Sequence, residues 1–222
     1  IISLMTQPII PYKLEFIDNE SIKLINTIKK NHYDKNCNSA VLLEIDGENE
    51  YIDIMLEKII KVIKKNKYKK ITVAGNKQDI EELWSARKSL SPALREIGGY
   101  KINEDIAVPI SNLTILLTNL NRLSEKYAIK IVNFGHAGNG NIHVNLLFKS
   151  DEEKKSENSK KCLEEIFDLV LSLDGTLSGE HGIGIIKKKF INKEIDKKTL
   201  SLMNDIKKQF DPNNIMNPNK SI

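Results

Sequence analysis

The sequence has few cysteines and no long apolar run, and each absence excludes a class of protein. Cys37 and Cys162 are its only cysteines, and their separation matches no disulfide framework, redox motif or metal motif. The apolar stretch at residues 59–63 is interrupted by lysines well before the roughly 20 residues that a membrane span needs. We therefore expect reduced thiols, a cytoplasmic setting and no transmembrane segment.

Charge of one sign is not concentrated anywhere either. The 34 basic and 30 acidic residues give a net charge of +4, and Lys and Glu are scattered through most segments. This pattern predicts a solvated surface and no nucleic-acid binding. The first residues, IISLMTQPIIPYK, lack the basic leader of a secretory signal, and because the chain begins with Ile we interpret it as a fragment.

Helices and strands are predicted to alternate along the chain. Apolar residues at helical spacing predict one helix after Asp18 that ends near Asn31, and another around Ile59. A buried strand is predicted at VLLEIDG from Val41, and a second strand at KKITVAG, which ends at Gly75. Further helices are expected over residues 78–90, 111–127, 151–173 and 194–210, with Ser91-Pro92 interrupting the first and Asp211-Pro212 ending the last.

The short strands and the lack of a Gly-rich phosphate loop decide the predicted fold class. With 222 residues, of which 40% are hydrophobic, the chain can bury one sizeable core or two small ones without disulfides. We predict an α+β fold, an antiparallel sheet flanked by helices on one side.

The most informative stretch is NFGHAGNGNIHVNLLF, at residues 133–148. In a strand, His143 and Asn145 point to one face, while the other face carries Ile142, Val144, Leu146 and Phe148. The glycines of the preceding loop allow His136 to fold back toward His143. Two converging imidazoles suit a divalent metal such as zinc.

A second stretch, GTLSGEHGIGIIKKKF, places Glu180 and His181 in a tight Gly-rich loop. Glu180 would complete two nitrogen ligands and one carboxylate, which leaves His181 as a proton acceptor. The alternative is that these histidines only satisfy hydrogen bonds in their loops. Three of the four histidines fall in these two stretches, which favours a functional site.

Five segments resemble the C-terminal half of FAD-linked 2-hydroxyacid dehydrogenases of the vanillyl-alcohol-oxidase type. They are FGHAGNGNIHVNLL, SGEHGIG, WSAR, INEDIAVP and FDPNNIMNP, and they occur in order from about residue 11 to residue 220. The family includes D-lactate dehydrogenase, the flavin subunit of glycolate oxidase and D-2-hydroxyglutarate dehydrogenase. The chain departs slightly from the family at Asn219, where glycine is common.

The resemblance implies three metal ligands, one catalytic base and a set of substrate-binding residues. The ligands are His136, His143 and Glu180, the base is His181, and the substrate residues are Arg87, Ser91, Lys101 and Asn145. Arg87 would hold the substrate carboxylate through paired hydrogen bonds. An arginine on an amphipathic helix is otherwise a solvated residue.

The resemblance also implies a division of the chain and an activity. Residues of about 11–150 would form the substrate or cap region, and about 151–222 a helical segment that contacts FAD. The expected reaction is oxidation of a D-2-hydroxyacid, of the D-lactate or glycolate class, to the 2-oxoacid, with hydride transfer to FAD.

The family's N-terminal FAD-binding domain has no counterpart in these 222 residues. We therefore expect FAD to be supplied by that missing domain or by a separate FAD-domain chain. We also expect an electron acceptor that places the enzyme peripherally at a membrane. The isolated chain is expected not to turn over. Two alternatives are a decayed or split-gene domain without activity, and a metal-dependent hydrolase.

Overall fold

A computed structural model describes residues 1–29, 32–97 and 99–221 of the chain. Two short 3₁₀ turns precede the fifth and eighth helices. The helices and strands, in chain order, are α1 Ile2–Met5, β1 Lys13–Asp18, α2 Asn19–Ile28, β2 Ser39–Glu44, α3 Asn49–Lys64, α4 Lys77–Ile97, β3 Tyr100–Ala107, α5 Leu113–Tyr127, β4 Lys130–Gly135, β5 Asn141–Phe148, α6 Asp151–Lys155, α7 Glu157–Ser172, α8 Ile191–Glu194 and α9 Lys197–Phe210.

The five strands form one sheet in the order β2-β1-β4-β5-β3. Every neighbouring pair is antiparallel, which confirms the predicted α+β class with an antiparallel sheet and helices. Strand β5 lies between β4 and the edge strand β3 and pairs with both. The side chains on both of its faces are buried, with only Leu147 partly exposed.

Helices cover both faces of the sheet, so the expectation of helices on one side was wrong. On one face α5 and α7 pack against Val144 and Leu146, whereas on the other α2 and α4 pack against Val132 and Phe134. The inner strands carry apolar residues on both faces. If helices covered only one face, the apolar residues on the other face would be exposed to water. His143 and Asn145 lie on the face that α2 and α4 cover.

The strand predicted at KKITVAG does not form, since residues 71–75 have no regular structure. A strand needs a hydrogen-bonded neighbour, and in the described part of the chain this segment pairs with no strand. Its Val73 side chain is 47% exposed. VLLEIDG does form strand β2, but β2 is an edge strand and only partly buried, so its predicted burial was wrong.

Helix α4 continues through Pro92, so the predicted interruption at Ser91-Pro92 was wrong. Proline removes one helical hydrogen bond at a cost of about 3 kcal/mol or more. Leu90 and Leu94 flank it and are fully buried against α2, which contributes roughly 1.5–3 kcal/mol each. Packing of the apolar face therefore outweighs the local break.

Residues 151–173 form two helices, the helix expected over 194–210 begins at Lys197 as α9, and the short helices α1 and α8 were not predicted. Ser156 has an extended backbone, and its hydroxyl accepts a hydrogen bond from the N–H of Ser159, so it begins α7 as an N-cap. The predicted end of α2 near Asn31 lies outside the described residues. Within the described ranges, no helix combines the length and apolar character needed to cross a bilayer.

Candidate active site

The structure brings His136, His143 and Glu180 together at one end of the sheet. His136 follows β4 in the hairpin to β5, and His143 lies on β5 opposite Asp105 of β3. Glu180 comes from the loop that follows α7. Its Oε1 lies 3.5 Å from Nε2 of His143 and 3.8 Å from Nε2 of His136, and the three ligand atoms lie within 4.8 Å of one another.

This donor set fits a zinc-like divalent ion. Ligand atoms about 2.0–2.2 Å from a tetrahedral zinc are roughly 3.3–3.6 Å apart, so small side-chain movements would close the observed cluster. The Nδ1 atom of His136 is engaged by the carboxylate of Glu15, which leaves Nε2 facing Glu180. Burial, and then the neighbouring His136, lowers the pKa of His143 and so favours the neutral imidazole that binds metals.

His181 lies beside this cluster with its ring stacked on that of His143. The ring centroids are 5.5 Å apart and the planes are 19° from parallel. Its Nε2 is 3.8 Å from Oε1 of Glu180, and half of the side chain is exposed. A histidine held at the cluster but open on its outer side can accept a proton from a bound molecule.

Two glycines allow the loops to approach closely enough to form the cluster. Gly140 has a φ of +79°, and a Cβ there would overlap the carbonyl of Val108. A Cβ at Gly179 would overlap the side-chain amide of Asn141. Any larger residue at Gly179 would therefore push the loop that carries Glu180 away from β5.

Asp105, a buried residue of β3, holds the same loop in place. Its Oδ2 accepts hydrogen bonds from the N–H of Glu180 at 2.8 Å, the N–H of His181 at 2.7 Å and the hydroxyl of Ser178 at 3.2 Å. Burial acts to raise the pKa of Asp105, but these N–H groups and the Asn141 amide lower it well below its usual range. The carboxylate stays ionised and fixes the loop.

We predict that Asp105→Ala destabilises the fold and loosens this loop. The substitution leaves the N–H groups of Glu180 and His181 without an acceptor, at about 1–3 kcal/mol each. Urea denaturation should show a loss of roughly 3 kcal/mol in the free energy of unfolding. Asp168→Ala removes an exposed carboxylate paired with Lys193, so it should leave stability nearly unchanged. Equal stability of the two variants would contradict the role of Asp105.

Arg87 extends from α4 to the same region. Its Nε donates to Oε2 of Glu15 at 2.8 Å, and its guanidinium lies 4.5 Å from the ring centre of Phe134. The terminal nitrogens have no hydrogen-bond partner among the described residues. They form a planar pair of donors that suits a carboxylate.

The other predicted substrate residues lie at different distances from the cluster. The strand register places Lys101 and Asn145 on the same sheet face as His143. Asn145 is fully buried and donates to the carbonyl of Val132, whereas Lys101 is four residues from Asp105, roughly 13 Å along the strand. Ser91 lies about one helical turn beyond Arg87. The structure therefore brings Arg87 to the cluster and leaves Lys101 apart from it.

A family model described as the C-terminal domain of FAD linked oxidases matches residues 1–221. The chain belongs to this family. The glycolate oxidase subunit GlcD of Bacillus subtilis is 31% identical to this FAD-linked oxidase domain over 212 residues, which are 96% of the chain and 45% of that protein. The D-lactate dehydrogenase of Archaeoglobus fulgidus is 34% identical over 154 residues, which are 68% of the chain and 33% of that protein.

Solved structures show the same fold at low sequence identity. A p-cresol methylhydroxylase with substrate bound matches with a TM-score of 0.68 and 14% identity, over 94% of this chain and 46% of that one. A 4-ethylphenol oxidase from Gulosibacter chungangensis matches with a TM-score of 0.63 and 12% identity, over 94% of this chain and 47% of that one. The FAD-linked oxidase domain thus spans less than half the length of these proteins.

The glycine-containing segments of this FAD-linked oxidase domain do not form the phosphate loop of a doubly wound dinucleotide-binding fold. Residues 135–140 connect two antiparallel strands, and residues 182–184 lie in the loop that carries Glu180. Neither has the strand, Gly-rich turn and helix that cradle a dinucleotide phosphate.

Sequence reasoning missed Glu15 and Asp105. Each is an acid within an apolar strand, in KLEFID and INEDIA respectively. A charged residue inside a buried strand is the signal that could have identified them.

Proposed function

We propose that this domain binds the 2-hydroxyacid substrate of an FAD-linked dehydrogenase, of the D-lactate or glycolate class, and supplies its metal site and its base. The observation that carries the proposal is the convergence of three imidazoles on one carboxylate oxygen of Glu180. The names of the relatives support the substrate class, since they include glycolate oxidase subunits and D-lactate dehydrogenases.

In this proposal the carboxylate and the hydroxyl of the substrate are held by different residues. Arg87 binds the carboxylate through its terminal nitrogens, while its Nε stays on Glu15. Ser91 and Asn145 are proposed to line the rest of the substrate pocket, and Lys101, which lies apart from the cluster, is proposed to face the substrate only from the far end of the same side of the sheet.

His136, His143 and Glu180 hold the metal, and His181 Nε2 accepts the hydroxyl proton as the hydroxyacid becomes a 2-oxoacid. When bound, a divalent ion would supply Lewis acidity at the substrate oxygen and FAD would supply the hydride acceptor. His181 then releases its proton to solvent through its exposed side.

We propose that FAD is held mainly by a flavin-binding domain, on the same polypeptide or on a partner chain. Residues of about 11–150 form the substrate region, and about 151–222 contact that flavin-binding domain. In support, large apolar side chains of the second region are exposed, namely Ile185, Ile186, Leu202, Ile206, Phe210, Ile215 and Met216. Phe210 is 82% exposed, and we propose that it and its apolar neighbours in sequence form part of the interface.

The proposed assembly works in the cytoplasm and passes electrons to an acceptor at the membrane surface. In support, Cys37 and Cys162 are both free thiols, as expected in a reducing compartment.

Metal analysis of the purified chain tests the proposed ligand set. We expect the metal-replete wild type to retain about one zinc-like ion per chain and His143→Ala to lose it, because two ligands bind far more weakly than three. The matched control is His32→Ala, which removes the one histidine outside the two Gly-rich stretches and should keep the metal. Near-zero metal in both the wild type and His143→Ala would contradict the proposed ligand set and would indicate a polar pocket that binds no ion.

A further inference from the structure

Glu15 contacts both the candidate metal site and the candidate substrate-binding arginine. On β1, Phe16 pairs with Gly135 of β4, so Glu15 lies opposite His136, just beyond the end of that strand. Its Oε1 contacts Nδ1 of His136, and its Oε2 accepts a hydrogen bond from Nε of Arg87 at 2.8 Å. One carboxylate therefore joins two functional side chains that come from different elements.

Burial of the Glu15 carboxylate on this strand is unfavourable in free energy. Its side chain is only 7% exposed, and Ile17, the next residue on the same face, belongs to the apolar cluster under α2 and α4. A buried carboxylate is stable only with charged or hydrogen-bonding partners, and apolar residues of similar size often stabilise such positions as well or better. Fold stability alone therefore gives no reason for an acid at this position.

The contacts of Glu15 restrict the orientation of both of its partners, His136 and Arg87. A carboxylate that accepts from Nδ1–H of a histidine fixes the ring tautomer and leaves the Nε2 lone pair for a metal. In His136 that Nε2 faces Glu180. The bond from Nε of Arg87 restrains the guanidinium and leaves its terminal nitrogens without a hydrogen-bond partner among the described residues.

We propose that Glu15 is a positioning residue that orients His136 toward the metal and Arg87 toward the substrate carboxylate. The inference rests on the proposed function for the identity of the two ligands, but the contact with Nδ1 of His136 can be tested without metal. Glu15 touches neither substrate nor cofactor in this arrangement. It acts through the two residues that it holds.

Zinc affinity of the chelator-stripped chain, measured by competition with a chromophoric chelator, is the first test. Glu15→Gln keeps a hydrogen-bond acceptor but removes the charge, and we expect it to weaken zinc binding by about 10- to 100-fold. Glu15→Leu removes the acceptor and should weaken binding further. The matched control is Glu44→Gln on the neighbouring strand β2, which removes a carboxylate paired with Lys13 at the surface and should bind like the wild type. Wild-type affinity in Glu15→Gln and Glu15→Leu overturns the proposal.

The tautomer of His136 in the zinc-free chain, read from the ¹⁵N shifts of its ring by NMR, is the second test. We expect a proton on Nδ1 in the wild type and in Glu44→Gln, and a shift of the proton toward Nε2 in Glu15→Leu. Absence of zinc binding by the wild type would overturn the proposed metal site, whereas the tautomer would still decide whether Glu15 orients His136. A tautomer that is unchanged in Glu15→Leu overturns the role of Glu15.

Discussion

His181→Ala, in a flavin-containing enzyme that carries this domain, is expected to lower kcat by about a hundredfold or more while KM changes little. The side chain is proposed to accept the hydroxyl proton only as the substrate is oxidised, so its loss affects the transition state more than substrate binding. The experiment compares steady-state kinetics and bound metal in the wild type and the variant. Metal content should stay at the wild-type level, because His181 is not one of the three proposed ligands.

Glu180→Ala is the control that separates the base from the metal site. Glu180 is the carboxylate on which the three imidazoles converge, so its removal should lower both metal content and kcat. If His181→Ala also loses the metal, His181 is a ligand rather than the base. Near-normal kcat in His181→Ala would mean that the loop serves metal binding or backbone shape alone.

Arg87→Ala should raise KM for the hydroxyacid by tenfold or more. Hydrogen bonds to a charged partner contribute about 1.5–3 kcal/mol each, and every 1.4 kcal/mol changes binding by about tenfold. The contact is present in both the ground state and the transition state, so kcat should change less than KM. Steady-state kinetics across hydroxyacid concentrations measure the effect.

The structure adds an expectation for Arg87→Lys and a matched control. A lysine keeps the charge but cannot make the bond through Nε to Glu15 and also present two planar donors, so KM should recover only in part. Lys88→Ala removes one positive charge from an exposed position of the same helix and should leave KM unchanged. A KM for Arg87→Ala within twofold of the wild type would place the substrate carboxylate elsewhere.

Local patterns predicted the elements whose apolar residues follow a clear period. The spacing of Ile22 and Ile25 predicted α2, because a helix with one apolar stripe has a clear period. Alternation predicted β5 and the common face of His143 and Asn145. Strand pairing was harder to predict. KLEFID forms β1 but was not predicted as a strand. KKITVAG was predicted as a strand but pairs with no strand in the described part of the chain. Strand pairing depends on residues far away in the sequence, which local patterns do not contain.

Glycine and histidine motifs identified the candidate ligands, but they did not identify what holds them. The two Gly-rich stretches brought attention to His136, His143 and Glu180, and the structure places these side chains together. Glu15 reaches His136 only through the antiparallel register of β1 and β4, and Asp105 reaches the Glu180 loop only because that loop folds back on β3. The apolar residues around each acid indicate burial, but they do not show which distant side chains or loops the acid contacts.

The sequence by itself determined the α+β class, most helices and the residue types of the candidate site, because these follow from short-range periodicity and local motifs. Tertiary structure alone decided that helices cover both sheet faces, that α4 continues through Pro92, and that one buried carboxylate, Glu15, joins Arg87 to His136. Those features depend on which distant segments pack together. Their free energy comes from burial and pairing between elements, and no local pattern encodes that free energy.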